Sequence, residues 1–299
     1  MNNLQNISII LSFAGLWITS LFSGDFEIIL GFMLILSFGI LHGSNDIILI
    51  HSIAESRASI TFIRVLLTYI LTIGIAVIVF YFFPLIALIL FIIFSAFHFG
   101  QQHWEYHELS LKNSSKNLIY FSYGMLVLQL LFVFNINDVI IIVENISNIT
   151  LEEHLIHYSF LASVILFLCC GVMIYLKLKE FKTKLIKEIF LLLVFIVIFK
   201  VSTLIWGFTI YFIFWHSIPS LIEQVRFIYG KFDQKTFLSY CKNALPYWII
   251  SVIGISVMYF IFKNETLFLA LFFSFIAAVT FPHTLVMNKM FGNKKAQPN

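Results

Sequence analysis

Apolar runs of about twenty residues follow one another along the chain, broken by short polar stretches. A helix needs about 20 such residues to cross the hydrocarbon core of a bilayer. By that measure, spans are predicted at 7–23, 27–45, 62–82, 84–103, 117–135, 155–176, 185–202, 204–222, 245–262 and 266–287. The stretch from Asp138 to Ile149 is shorter and carries Glu144, which marks it as an interfacial or re-entrant piece. No long linker, low-complexity tract or soluble domain remains between the runs. The expected fold class is therefore all-α: a polytopic transmembrane helix bundle of about ten spans. Residues 1–299 read as one integral membrane domain with a short tail from 288 onward.

Composition agrees. The chain is 61% hydrophobic and 11% charged, against about 45–50% and about 25% in soluble domains. So few charges could not cover a water-facing surface, and the lipid bilayer is the expected solvent. The 36 phenylalanines fit a lipid-facing surface as well as a cavity for a large apolar ligand. No basic stripe is present, which argues against a nucleic-acid partner. Cys169, Cys170 and Cys241 form no CxxC pair, so neither a disulfide framework nor a thiolate metal site is indicated. The first basic residue is Arg57. A signal peptide begins with positive charge, so the first apolar segment is expected to be a retained helix.

Charge then orients the spans, because cytoplasmic loops collect Lys and Arg. With the N-terminus inside, the inner loops hold Arg57 and Arg64, Lys112 and Lys116, five lysines between Lys177 and Lys187, and four basic residues between Arg226 and Lys242. The tail adds Lys289, Lys294 and Lys295, and only Lys200 and Lys263 fall outside. Both termini are therefore expected to be cytoplasmic, in a multi-pass protein of the inner (cytoplasmic) membrane.

Ionisable residues inside a membrane are costly and mark function by default. Four of the nine histidines lie near the ends of apolar spans: His42 in GILHGSND, His98 in SAFHFGQQHW, His216 in FWHSIPSLIEQ and His283 in TFPHTLVM. They fall in the second, fourth, eighth and tenth spans, which all run from outside to inside. They precede the next basic residue by 15, 14, 10 and 6 positions, which places all four in the cytoplasmic half. A lone intramembrane histidine commonly serves as an interhelical hydrogen-bonding group. Four at one depth point instead to a shared metal ion. Neutral imidazole suits iron, copper, zinc or nickel.

A ligating ring also needs a partner for its second N–H. Asp46, four residues after His42, is the expected partner there, with Glu223 a weaker one for His216. Gln101 and Gln102 follow His98. His103 and His107 share a helical face and are expected to form an interfacial pair, His51 to be interfacial, and His154 and His157 to lie at the outer end of the sixth span. Gly43, Gly100, Pro219 and Pro282 accompany the four histidines, as broken helix ends lining a cavity would.

The ordered segments LHGSNDIILIH, SAFHFGQQHW, FWHSIPSL and PHTLVM resemble the Brp/Blh family of membrane-bound β-carotene 15,15′-dioxygenases, over residues 30 to 290. The resemblance implies an oxygen-dependent enzyme that splits β-carotene into two retinals with histidine-bound Fe(II), and it implies use of the retinal by a rhodopsin. It carries metal-binding, and hence catalytic, roles onto His42, His98 and His216. Family members can place a further histidine one turn after the HS motif, where this chain has Ser220. His283 is taken as the fourth ligand from its depth, with His103 or a three-histidine shell as the alternatives. Phe97, Phe99, Phe212 and Trp215 flank the histidines and are candidates to line the polyene site, together with Phe94, Trp104, Tyr211 and Phe214, while ordinary helix packing explains them equally well. A histidine-lined metal-ion transporter is the rival reading, disfavoured by the lack of an internal repeat and by few deep carboxylates. A lipid desaturase or hydroxylase is weaker still, because the only HxxxH pair is His103 with His107.

Overall fold

A computed structural model describes residues 3–22, 24–54, 62–105, 111–177, 181–261 and 265–294. Arg57, His107, Lys179, Lys263 and Lys295 lie outside the described residues. Among the described residues every element is helical and none is a strand. This is what lipid demands, because a helix satisfies its own backbone polar groups.

Among the described residues eleven helices follow in chain order: α1 (Asn3–Thr19), α2 (Gly24–Ala54), α3 (Phe62–Phe82), α4 (Pro84–Glu105), α5 (Asn113–Phe134), α6 (Ile136–Ser147), α7 (Glu153–Lys177), α8 (Phe181–Val201), α9 (Leu204–Tyr229), α10 (Gln234–Ile261) and α11 (Glu265–Lys294). Seven are long and apolar enough to cross a membrane: α2, α4, α5, α7, α9, α10 and the Leu271–Gly292 stretch of α11. In α3 a shorter stretch, Leu66–Phe82, is apolar. The protein is thus a multi-pass membrane protein. A helix, α6, also occupies the stretch expected to be interfacial. The last helix runs to Lys294, past the position where a tail was expected. Met287, Met290 and Phe291 explain the extension, because they pack with Leu49 in a buried apolar cluster.

Local chemistry sets several boundaries. Pro84 opens α4, where its missing N–H costs nothing. Thr203 caps α9 by accepting from the Trp206 N–H, and the Glu27 carboxylate accepts from the Thr203 hydroxyl at 2.9 Å. Gly230 closes α9 at φ 78, a left-handed conformation that glycine adopts without steric cost. Asp233 then starts α10 with reciprocal bonds: its Oδ1 accepts from the Thr236 N–H, and its own N–H donates to the Thr236 hydroxyl, both at 2.9 Å.

Two helices contain wide π-turns, Ile35–Gly39 in α2 and Tyr211–Ser217 in α9. In α9 the cause is visible in the sequence. Pro219 has no N–H to offer the carbonyl four residues back, so the regular bonding ladder fails just upstream. Helix α2 is interrupted again at Ser44 and Asn45 before it resumes at Asp46.

The chain divides into two compact units. The first comprises Met1–Ile35, Ser95–Ile141 and Thr150–His216; the second comprises Leu36–Phe94, Ile142–Ile149 and Ser217–Asn299. In the first, α5 packs along α7 and α8, and the N-terminal part of α9 packs on that of α2. Glycines bring α4 and α5 into backbone contact: a Cβ on Gly100 would overlap the Tyr120 carbonyl, and one on Gly124 would overlap the Ala96 carbonyl. In the second unit, α11 packs along α3 and on the Asp46–Ala54 part of α2. There Trp248 of α10 donates its indole N–H to the Leu36 carbonyl at 2.7 Å.

Candidate metal centre

In the first unit, the glycine-mediated contact of α4 with α5 fixes the stretch of α4 that carries His98. The His98 ring meets the His216 ring of α9 at 4.7 Å between centroids and 80° between planes. Both are buried. Gln102, one turn after His98, donates its side-chain N–H to the His216 carbonyl at 3.1 Å. The bond fixes the backbone of α9 at its π-turn, a deformation often found at functional sites. Phe212 stacks on the His216 ring at 5.6 Å, and Phe99 meets it edge-on at 4.6 Å.

In the second unit, His42 of α2 and His283 of α11 form another buried pair, with ring centroids 4.9 Å apart and planes at 90°. The Nδ1 of His42 bonds the Gly39 carbonyl. The Nδ1 of His283 lies 2.8 and 3.0 Å from the two carboxylate oxygens of Asp46. Asp46 was expected to serve His42 and instead serves His283. Four residues make one face only along an unbroken helix, and the interruption at Ser44 and Asn45 turns the Asp46 side chain toward α11.

A hydrogen-bond network that the sequence did not signal holds the backbone at His42. Tyr240 of α10 places its hydroxyl 3.1 Å from the His42 carbonyl and 2.9 Å from Gln224 Oε1. Gln224 in turn donates to Ser220 Oγ at 3.1 Å, and Asn45 donates to the Tyr240 carbonyl at 2.9 Å. Ser220 thus belongs to a buried hydrogen-bond chain. Glu223, beside it in sequence, is also buried.

His103 differs from its expected interfacial setting. Its Nε2 sits 2.6 Å from a carboxylate oxygen of Glu188 on α8, with both side chains buried, and its ring stacks on Tyr123 at 4.5 Å. Glu188 lies one residue beyond Lys187, so in the sequence it reads as part of a basic loop edge. His51 is exposed, as are His154, which pairs with Glu152 at 3.0 Å, and His157. Among the expected lining residues, Phe99 and Phe212 surround His216, while Phe97 faces Tyr120 at 6.2 Å. Trp215 donates its indole N–H to Ser12 on α1 at 2.9 Å.

His42 and His283 in the second unit, and His216 in the first, are buried imidazoles of the kind that ligate a metal ion. The donor set fits that role. With Nδ1 of His42 and of His283 engaged by an oxygen acceptor, the neutral ring keeps its proton there and presents the Nε2 lone pair. Imidazole nitrogens suit the redox-active first-row metals.

A family model described as beta-carotene 15,15′-dioxygenase matches residues 33–291, a stretch that contains all four histidines. No curated protein and no solved structure matches the chain.

Proposed function

Because the chain belongs to the β-carotene 15,15′-dioxygenase family, we propose that it holds Fe(II) on His42, His98, His216 and His283 and cleaves the central double bond of β-carotene with O2 into two molecules of retinal. The observation that carries the reading is the extent of the family match, which takes in every buried histidine of both pairs. The two oxygen atoms of O2 end in the two aldehydes, so the reaction balances without a net proton. No protein acid or base is needed. When bound, ferrous iron supplies the electron chemistry through which ground-state O2 reacts with an olefin.

The chain's own residues have narrower tasks. The Gly39 carbonyl and the Asp46 carboxylate hold protons on the Nδ1 atoms of His42 and His283, which keeps both rings neutral and aimed. Phe99 and Phe212 give His216 an apolar surround suited to a polyene. His283 takes the role that Ser220 cannot. In the same reading, about ten helices span the inner membrane as one domain with both termini cytoplasmic. β-Carotene arrives by diffusion within the bilayer, and the retinal is passed to a rhodopsin.

Metal transport remains the second reading, because Asp46, Glu188 and Glu223 are buried carboxylates. Two of the three are each already engaged by a histidine, as structural or positioning groups are. Expression in a bacterial host that accumulates β-carotene separates the readings. The enzyme bleaches the cells and retinal appears. Unchanged pigment, despite good membrane expression and added iron, contradicts the proposal.

A further inference from the structure

The carboxylate behind His283 has a second donor. Tyr69 of α3 donates its hydroxyl to Asp46 Oδ2 at 2.9 Å, while the His283 Nδ1 lies 2.8 Å from Oδ1 and 3.0 Å from Oδ2. Three helices thus contribute to one chain, hydroxyl to carboxylate to imidazole. Asp46 is 1% exposed. A buried carboxylate is stable only where its oxygens are met by donors.

Backbone alone leaves Asp46 loosely specified, because α2 is interrupted at Ser44 and Asn45 immediately before it. One hydrogen bond to His283 would still let the carboxylate turn about its terminal torsion, which is broad for aspartate. The Tyr69 hydroxyl supplies the second anchor. Its ring packs against the cluster of Leu49, Val286 and Met287, so the position of the hydroxyl is set by the packing of α3 against α2 and α11. These are the elements that carry Asp46 and His283.

We propose that Tyr69 is a positioning residue of the metal centre: it holds Asp46 so that the carboxylate fixes the His283 ring with Nε2 directed to the metal. The inference rests on the reading of His283 as a metal ligand. Tyr69 touches neither metal nor substrate in this account and acts only through Asp46 and His283. Partners of this kind typically change metal affinity by about 10–100-fold when lost.

The test uses the full-length protein, purified in detergent, stripped of metal and titrated with Co(II) alone, whose visible absorption reports the ligand field. Tyr69→Phe keeps the packed ring and removes only the hydroxyl. It is expected to weaken Co(II) binding by about 10-fold or more and to alter the absorption band, while the metal-free protein melts at the wild-type temperature. Tyr81→Phe, at a residue 80% exposed, binds as wild type. In an Asp46→Asn background, Tyr69→Phe adds no further loss, because both act through one ring. Should Tyr69→Phe fail to fold, that background still decides the question through Tyr69→Leu: a further, additive loss of affinity there overturns the proposal. Wild-type affinity in Tyr69→Phe while His283→Ala has lost binding overturns this inference alone. Wild-type affinity in His283→Ala overturns both this inference and the ligand set on which it rests.

Discussion

A neutral imidazole binds a metal through one nitrogen, and its other N–H must be held for the ring to aim. His42 meets this requirement through the Gly39 carbonyl and His283 through Asp46. Alanine at His42, His98, His216 or His283 is therefore expected to abolish retinal formation and to lower bound iron, measured by elemental analysis of the purified protein. Asp46→Asn keeps an oxygen acceptor but removes the charge, so it should retain part of the iron. Asp46→Ala loses more. The four histidines were legible from their depth in the spans, because an imidazole among apolar residues stands out in any sequence. The partner of Asp46 was not, because spacing of four predicts a shared face only if the helix is continuous. Tyr69 was hidden by the opposite problem: a tyrosine in a leucine- and isoleucine-rich run looks like ordinary packing.

The buried pair of His103 and Glu188 joins α4 to α8. Removing one partner strands a buried polar group and costs about 1–3 kcal/mol. Glu188→Leu is accordingly expected to lower the melting temperature clearly. The double variant His103→Leu with Glu188→Leu should recover much of that loss, since it strands neither group.

Contact between α4 and α5 depends on their glycines, whose Cβ positions are filled by carbonyls of the facing helix. Gly124→Ala forces the helices apart, at a cost of about 1–3 kcal/mol. It should also displace His98, so iron content falls together with stability. Helix positions were readable from hydropathy because each run is about one bilayer long. The π-turns were not readable in that way: Pro219 marks one of them, but nothing in the residues Ile35–Gly39 announces the other.

At the scale of the whole molecule, the seven helices that satisfy both length and hydropathy each overlap one of the ten segments read from the sequence. The remaining three, α1, α3 and α8, are short or carry charge near an end, as Arg64 in α3 and Lys184 and Lys187 in α8 do. Length and composition alone therefore leave them undecided, and the topology proposed rests on the distribution of Lys and Arg. Reporter fusions check it: a fusion at Lys231 should report a cytoplasmic position and one at Glu152 an external position. The division into two interleaved units was invisible in the sequence, because each unit is assembled from three separate stretches of chain.

The central claim is the reaction itself, and the purified protein tests it most directly. Iron-loaded protein in detergent, given β-carotene and O2, is predicted to form two molecules of retinal for each β-carotene consumed, with no such product from His42→Ala. Consumption that yields other apocarotenals, or retinal formed equally well by His42→Ala, would contradict the account.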